Sequence, residues 1–358
     1  MDQSSKERDA ATSADPDGAP STRVQPTQRD VAKLAKTSQA AVSRVLSGGA
    51  ASRKLRDRVL KACDSLGYVL DMGARTLVRG SSNMVAVVVA NIQNPFYPYI
   101  LDRLTLRIQT SGFEVLLLNA SGGRDIDELL PIVLQYKVRS AIIMTASLSS
   151  TMANRLTEHN IPTVMLNRYS TFGSSNSVAC DNVAGGRLVA ESFIKAGFRT
   201  FAYVGGAPSS STNLDRRNGF MQRLAESGYQ PQIALDGDFN HDWGYEAGTI
   251  LRRFSDVQSI FCADDVIAMG VMDSLKEAGL SVPGDFAVVG FDDIPSAGWA
   301  AYSLSTVQQP VDQMIEATLK LLDEKPSAPV KEIRIPGKLL LRNSFSGVEA
   351  SLPRSGSK

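Results

Sequence analysis

The sequence predicts an N-terminal all-α domain followed by an α/β core of two doubly wound parallel-sheet subdomains. Three observations carry that reading. A basic segment before residue 71 holds three short helical patterns. From Met84 the chain changes to short apolar runs alternating with amphipathic stretches. The same alternation restarts after Asp181. At 358 residues the chain is too long for one ordinary core, and an apolar fraction of 43% is enough to fill two or three.

Residues 1–26 are rich in Ser, Asp, Pro, Thr and Gln and nearly free of large apolar side chains, the composition of a disordered tail that cannot offset the entropy of ordering. A first short helix is expected over Thr27–Ala35, where Val31, Leu34 and Ala35 share a face and Thr27 with Asp30 suits an N-terminus. Ser38 offers a cap to a second helix, Gln39–Leu46, with Val42, Val45 and Leu46 on one side, and Ser47-Gly48-Gly49 stops it. Ser52 can cap a third that runs to about Leu66 and ends at Gly67, burying Val59, Ala62, Cys63 and Leu66.

Charge is distributed unevenly. Residues 27–79 hold eleven Lys and Arg against four Asp, a surplus of seven in a chain whose net charge is +1, so the remainder is acidic by about six. Three short helices with a basic exterior also describe a plain bundle, and a Lys/Arg-rich run is often just a solvated face. The outer face of the second helix separates the two readings. It presents Gln39, Ala40, Ser43 and Arg44, short polar groups plus one long bidentate donor, which suits the major groove of DNA better than it suits bulk water.

In the core, Met84–Ala90, Phe113–Asn119, Ala141–Thr145 and Thr163–Asn167 read as strands buried on both faces. Phe201–Gly205, Ile260–Ala263 and Ala287–Phe291 read as strands of a second half, with helices near Val183–Ala196, Leu214–Ser227 and Val266–Gly279. Ligands bind beyond the carboxyl ends of parallel strands, and Asn91 through Tyr97, Asn167-Arg168, Asp264-Asp265 and Asp292-Asp293 all fall there. Carboxylates, an Arg and aromatic faces lining a cleft suit a hydroxyl-rich small molecule. Asp292 and Arg216 fit such a pocket best, while Asp181, Asn182, Asp264 and Asp265 also read as caps of the helices that follow them and Phe96 as core.

Other classes are disfavoured. The chain has no GxGxxG, GxxxxGK[ST], HExxH or GxSxG, and only His159 and His241 are available for histidine chemistry, so neither an enzyme nor a bound cofactor is expected. Cys63, Cys180 and Cys262 are widely spaced among apolar neighbours and read as core residues rather than a metal site or disulfides. An exported solute-binding protein would need a signal peptide and no basic reader, whereas this N-terminus has no apolar run and no segment reaches about 18 apolar residues, so a cytoplasmic protein is expected.

The segment DVAKLAKTSQAAVSRVLSGG, from Asp30 to Gly49, resembles the DNA reader of the LacI/GalR (lactose-repressor) family. LKACDSLGY at Leu60 and ARTLVRG at Ala74 continue the match in the family's order. The resemblance runs on through NIQNPFYPYIL at Asn91, CDNVAGGRLVAESFIKAGF at Cys180, TNLDRRNGF at Thr212, FCADDVIAMG at Phe261, VPGDFAVVGFDD at Val282, STVQQP at Ser305 and LLLRNS at Leu339, covering nearly everything from Thr27 to about Ser346. It implies a periplasmic-binding-protein-like core and a repressor, a homodimer that docks on a pseudo-palindromic operator and responds to a sugar or related metabolite. Carried over by position, Gln39, Ala40 and Arg44 would read bases and Thr27, Ser38 and Ser43 would hold phosphates. A hinge helix at 72–79 would insert Leu77 into the minor groove. The effector pocket would include Phe96, Tyr97, Arg168, Thr212, Arg216, Phe239, Asp265 and Asp292.

The implied boundaries are a tail at 1–26, a helix-turn-helix domain at 27–70, a hinge and linker at 71–82, a core at 83–346 whose chain crosses between subdomains near 181, 309 and 338, and a C-terminal tail at 347–358. Without a leucine heptad that last tail gives no tetramerising helix. Four positions depart from the family pattern. Leu70 stands where proline is usual, Gly73 loosens the hinge, Lys36 replaces a turn glycine, and Asp264 replaces the common Asn.

Overall fold

A computed structural model describes residues 26–47, 49–68, 82–120, 126–144, 150–169, 175–324 and 329–347. The chain divides into two compact units, Met1–Arg75 and Thr76–Lys358. The expectations for the hinge, including Leu77, Gly73 and Leu70, and for most of both tails lie outside the described residues.

In the first unit α1 spans Gln28–Leu34, α2 Gln39–Leu46 and α3 Arg53–Leu66. Each begins where a side chain satisfies an orphan backbone N–H: Thr27 for α1, Ser38 for α2 and Ser52 for α3. Gly67, at φ 62°, terminates α3 in the left-handed conformation that glycine adopts without a Cβ penalty. Val31, Ala35, Val42, Val45, Val59, Ala62 and Cys63 close the small core. Leu66 is only half-buried at its rim, because the third helix ends there.

The second unit holds two six-stranded sheets. In the first, β1 (Met84–Val89), β2 (Glu114–Asn119), β3 (Ser140–Met144), β4 (Thr163–Leu166), β5 (Asn176–Cys180) and β11 (Glu332–Ile335) run in the order β11-β5-β4-β3-β1-β2, every neighbouring pair parallel. In the second, β6 (Phe201–Val204), β7 (Ile233–Leu235), β8 (Ser259–Cys262), β9 (Ala287–Asp292), β10 (Ser305–Gln308) and β12 (Lys338–Leu340) run β12-β10-β9-β8-β6-β7, with only β12 antiparallel. The helices are α4 (Phe96–Thr110), α5 (Leu130–Gln135), α6 (Ser150–Glu158), α7 (Asn182–Lys195), α8 (Ser211–Glu226), α9 (His241–Leu251), α10 (Asp265–Glu277) and α11 (Val311–Leu322).

Continuous apolar runs become strands buried on both faces, as in β1, β3 and β4. The expectation that Phe113–Asn119 is buried likewise is corrected: β2 is an edge strand, and Glu114, Leu117 and Asn119 are exposed. One missing neighbour strand accounts for that. The chain passes between the sheets after β5, again after β10 into α11, which packs on β4 and β5, and once more between β11 and β12. Two glycine contacts set the geometry of the second subdomain. A Cβ on Gly186 would lie 2.2 Å from the Arg216 carbonyl oxygen, and one on Gly219 would lie 2.1 Å from that of Val183, so α7 and α8 cross backbone to backbone. That crossing fixes the height of Arg216 below the strand ends.

Candidate functional sites

The reader is assembled by its caps. The Thr27 hydroxyl and backbone N–H both donate to Asp30 Oδ2, at 2.7 and 2.8 Å, a reciprocal box that holds the Asp30 carboxyl below its ordinary range. The Ser38 hydroxyl accepts from Ala41 N at 3.2 Å and starts α2. Between the two helices Lys36 adopts φ 49°, where glycine would be unstrained. With Val42 and Val45 turned inward, Ser38, Gln39, Ala40, Ser43 and Arg44 are all exposed. All the expected base- and phosphate-contacting positions of α2 thus lie clear of the small core on a capped helix. Thr27, also exposed, has its hydroxyl committed to Asp30.

The core's polar groups converge where β1, β4, β6, β8 and β9 end. Asn91 (φ 56°), Asn167 (φ 63°), Asp292 (φ 118°) and Asp293 (φ 56°) reverse the chain there in backbone conformations that side-chain-bearing residues rarely adopt. From the first subdomain Arg168 reaches across: its Nη1 donates to the Ser210 and Thr212 hydroxyls at the start of α8, and its Nη2 donates to the Tyr97 hydroxyl at 3.1 Å. Asn94 Nδ2, in the loop before α4, donates to Asp264 Oδ2 at 2.8 Å and to the Phe239 carbonyl at 3.3 Å. Below these, Arg216 is held on every side. It pairs with Asp292 Oδ1 at 2.9 Å, donates through Nε to Asn182 Oδ1 at 2.9 Å and through Nη1 to the Ala263 carbonyl at 2.5 Å, and lies 3.7 Å from the Phe291 ring centre.

Burial sets the electrostatics. Asp264 is 1% exposed, and burial together with the Asp292 charge pushes its carboxyl up to about 7 against the pull of Ile267 N–H, Asn94 and Arg216. Burial and the same neighbour push Asp265 well above the ordinary carboxylate range. Asp292 is also raised by burial, opposed chiefly by Arg216 and by the amide of Gln309, whose Nε2 donates to Asp292 Oδ1 at 2.7 Å.

Of the eight effector positions named from sequence, Tyr97, Arg168 and Thr212 meet directly, and Phe239 lies 6.0 Å from the Arg168 guanidinium carbon. Phe96 is buried in the core and packs edge-on against Tyr97. Arg216 and Asp292 meet each other. Asp265 turns aside: Ile294 N–H at 2.9 Å and the Thr306 hydroxyl at 2.5 Å take its two oxygens. Asp181 and Asp264 do act as caps, accepting from Ala184 N and Ile267 N. Ser210, Gln309 and the pairing role of Asn94 escaped the sequence reading. The signal for Asn94 was its place among the polar residues after β1, but nothing in the pattern marked Gln309, which precedes a helix-starting proline.

An exposed recognition helix on a helix-turn-helix, in one chain with a two-lobed α/β core whose polar groups meet at the strand ends, defines the class of ligand-responsive DNA-binding transcription regulators. Comparison with known proteins agrees. Residues 27–71 match the profile described as bacterial regulatory proteins, lacI family, and residues 190–345 match a periplasmic binding protein-like domain. The chain is 32% identical over 330 residues to the ribose operon repressor of Halalkalibacterium halodurans, covering 91% of this chain and 98% of that one. Among solved structures it is similar to a complex of the transcriptional regulator CelR with cellobiose (27% identity, TM-score 0.68, 89% of this chain and 100% of that one). It shares its fold with a lac repressor dimer bound to operator (22% identity, TM-score 0.77, 90% and 99%). The chain belongs to the LacI family of bacterial transcription regulators.

Proposed function

We propose that this chain is a cytoplasmic repressor that acts as a homodimer, docking α2 of each subunit in the major groove of one half of a pseudo-palindromic operator. Gln39, Ala40 and Arg44 contact base edges, Thr27, Ser38 and Ser43 contact phosphates, and Leu77 enters the minor groove from the hinge. The domain limits that follow are 27–70 for the reader, 71–82 for the hinge and linker and 83–346 for the core. A metabolite bound between the subdomains, at Tyr97, Arg168, Thr212, Arg216, Phe239 and Asp292 with Phe96 and Asp265 supporting them from behind, biases their relative position and so the hinge and operator affinity. Named relatives are a ribose operon repressor and a regulator solved with cellobiose, which supports a sugar-like effector. The function is binding, not catalysis.

The observation that carries the reading is the exposed Gln39, Ala40, Ser43 and Arg44 face of α2. After selection of an operator from a random-sequence pool, Arg44→Ala weakens binding by about 1–3 kcal/mol in a gel-shift titration and relaxes preference at one base step. Unchanged affinity and preference would remove the base-reading role.

A further inference from the structure

Arg168 is a buried cation with neutral partners only. It is 5% exposed, and among the described residues no ion pair reaches it; the cleft's ion pair joins Arg216 to Asp292. A guanidinium carries five N–H donors. Three go to the hydroxyls of Ser210, Thr212 and Tyr97, and among the described residues Nε has no partner and one N–H of Nη2 is left over.

The element Arg168 touches is itself short of acceptors. α8 is 16 residues long, and no side chain caps it. Its ladder starts with Leu214 N donating to the Ser210 carbonyl, and the buried Ser211 hydroxyl is unpartnered. A long helix presents partial positive charge and free N–H groups at this end. Of the cleft's carboxylates, Asp264 is satisfied by Ile267 N and Asn94 and Asp265 by Ile294 N and Thr306, while Asp292 has Arg216 as its counter-ion and takes both Arg216 and Gln309 on Oδ1. The surplus in this cleft is therefore of donors and positive charge around Arg168. Among the described residues the acceptors left open are the neutral amide oxygens Asn167 Oδ1 and Gln309 Oε1 and the second oxygen of Asp292, whose charge Arg216 already balances.

We propose that the effector is an oxyanion-bearing polyol whose carboxylate or phosphate sits between the Nε edge of Arg168 and the N-terminus of α8. Its hydroxyls complement the open amide oxygens. A cationic or amine ligand is disfavoured because the buried charge in excess at this end of the cleft is the Arg168 guanidinium, while Asp292 already has Arg216 as its counter-ion. The inference rests on the effector-cleft reading above and adds the charge of the ligand.

The test uses full-length protein at fixed ionic strength, with inorganic phosphate and two matched pairs as probes: D-ribose 5-phosphate against D-ribose, and D-gluconate against D-glucose. Phosphate raises the unfolding temperature of the wild type. By titration calorimetry the charged member of at least one pair binds about tenfold or more tighter than its neutral partner, as a charge-assisted bond should. Which pair discriminates tells phosphate from carboxylate. Arg168→Gln loses the phosphate effect, Arg168→Lys keeps part of it, and Arg44→Ala on the reader leaves it intact. No phosphate effect in the wild type, a full effect in Arg168→Gln, or a neutral sugar binding as tightly as both charged ones overturns the proposal. A neutral sugar that shifts operator affinity would uphold the effector reading while defeating this one. An anion bound through Arg168 that leaves operator affinity unchanged would do the reverse.

Discussion

Replacing Asp264 by Asn should make the core more stable at high pH and not at low pH. Asp264 Oδ1 accepts from Ile267 N and Oδ2 accepts from Asn94 Nδ2, both at 2.8 Å, with the side chain almost fully buried. Burial and the Asp292 charge push its carboxyl up to about 7, well above the ordinary aspartate value of about 4. Because the folded-state value is the higher one, the folded protein keeps a proton that the unfolded chain releases. Stability contributed by the protonated group is complete below about pH 4, is lost as the pH rises towards 7, and is flat above that. Each unit of difference is worth about 1.4 kcal/mol, so the two units between pH 5 and pH 7 amount to about 3 kcal/mol. Asn caps α10 as well as Asp does, but its single carbonyl oxygen cannot also serve Asn94, a loss of about 1 kcal/mol independent of pH. The variant is therefore slightly less stable than the wild type near pH 4 and gains on it by about 3 kcal/mol between pH 5 and pH 8, roughly 6 °C or more in the core unfolding transition. Asp265, which senses the Asp264 charge, shifts in the same direction. Calorimetric melts at several pH values measure the difference. A stability gap that does not change with pH refutes the argument that Asp264 is held as a buried, reluctantly ionised acid.

Two further predictions concern packing and backbone. Arg216→Met strands Asp292 without its cation and costs about 3–5 kcal/mol by chemical denaturation, and adding Asp292→Leu restores much of it, since an apolar pair avoids the desolvation of both charges. In the reader, Lys36→Gly relieves a φ of 49° and raises its melting temperature, by up to about 1 kcal/mol in stability.

The elements most legible in the sequence were those whose pattern has one reading. α2 begins and ends at the residues expected, Gln39 and Leu46, because a cap, one apolar face and a glycine stop all agree, and α3 ends at Leu66 with Gly67 beyond it for the same reason. β1 follows from an unbroken valine-rich run. The strands β5, β7, β10, β11 and β12 were not anticipated. β5, Asn176–Cys180, opens on two polar residues although four of its five are buried, because Ser177 is enclosed between β4 and β11. β7 and β12 are three residues long and take their identity from a neighbouring strand rather than from their own composition. In the cleft, residue types were legible and partnerships were not. Arg216 and Asp292 look from sequence like two independent ligand contacts, and three-dimensional pairing turns them into a strut beneath the cleft, while Arg168 has only neutral partners among the described residues.

That distinction bears on how the core can respond to a ligand. The sheets and helices bury large apolar clusters, whereas the polar link between the subdomains at the cleft includes the Asn94 bonds to Asp264 and Phe239, the Arg168 bonds to Ser210 and Thr212, and the Tyr169 hydroxyl's bond to Asp215 Oδ1. Each is worth about 1 kcal/mol net, somewhat more where Arg168 or an ionised Asp264 takes part. The whole link is thus a few kcal/mol, the range a ligand's differential affinity can reverse. Asn94→Ala removes two of these bonds without touching the Arg168 side of the cleft. It should shift the subdomains away from the arrangement these bonds hold and weaken effector binding by about fivefold to tenfold through that equilibrium alone, with operator affinity moving in the same direction as effector removal moves it. Titration calorimetry and gel shifts on the variant measure both quantities. If effector affinity fell while operator affinity, with no effector present, stayed at the wild-type value, Asn94 would be a ligand contact and not part of the two-state link.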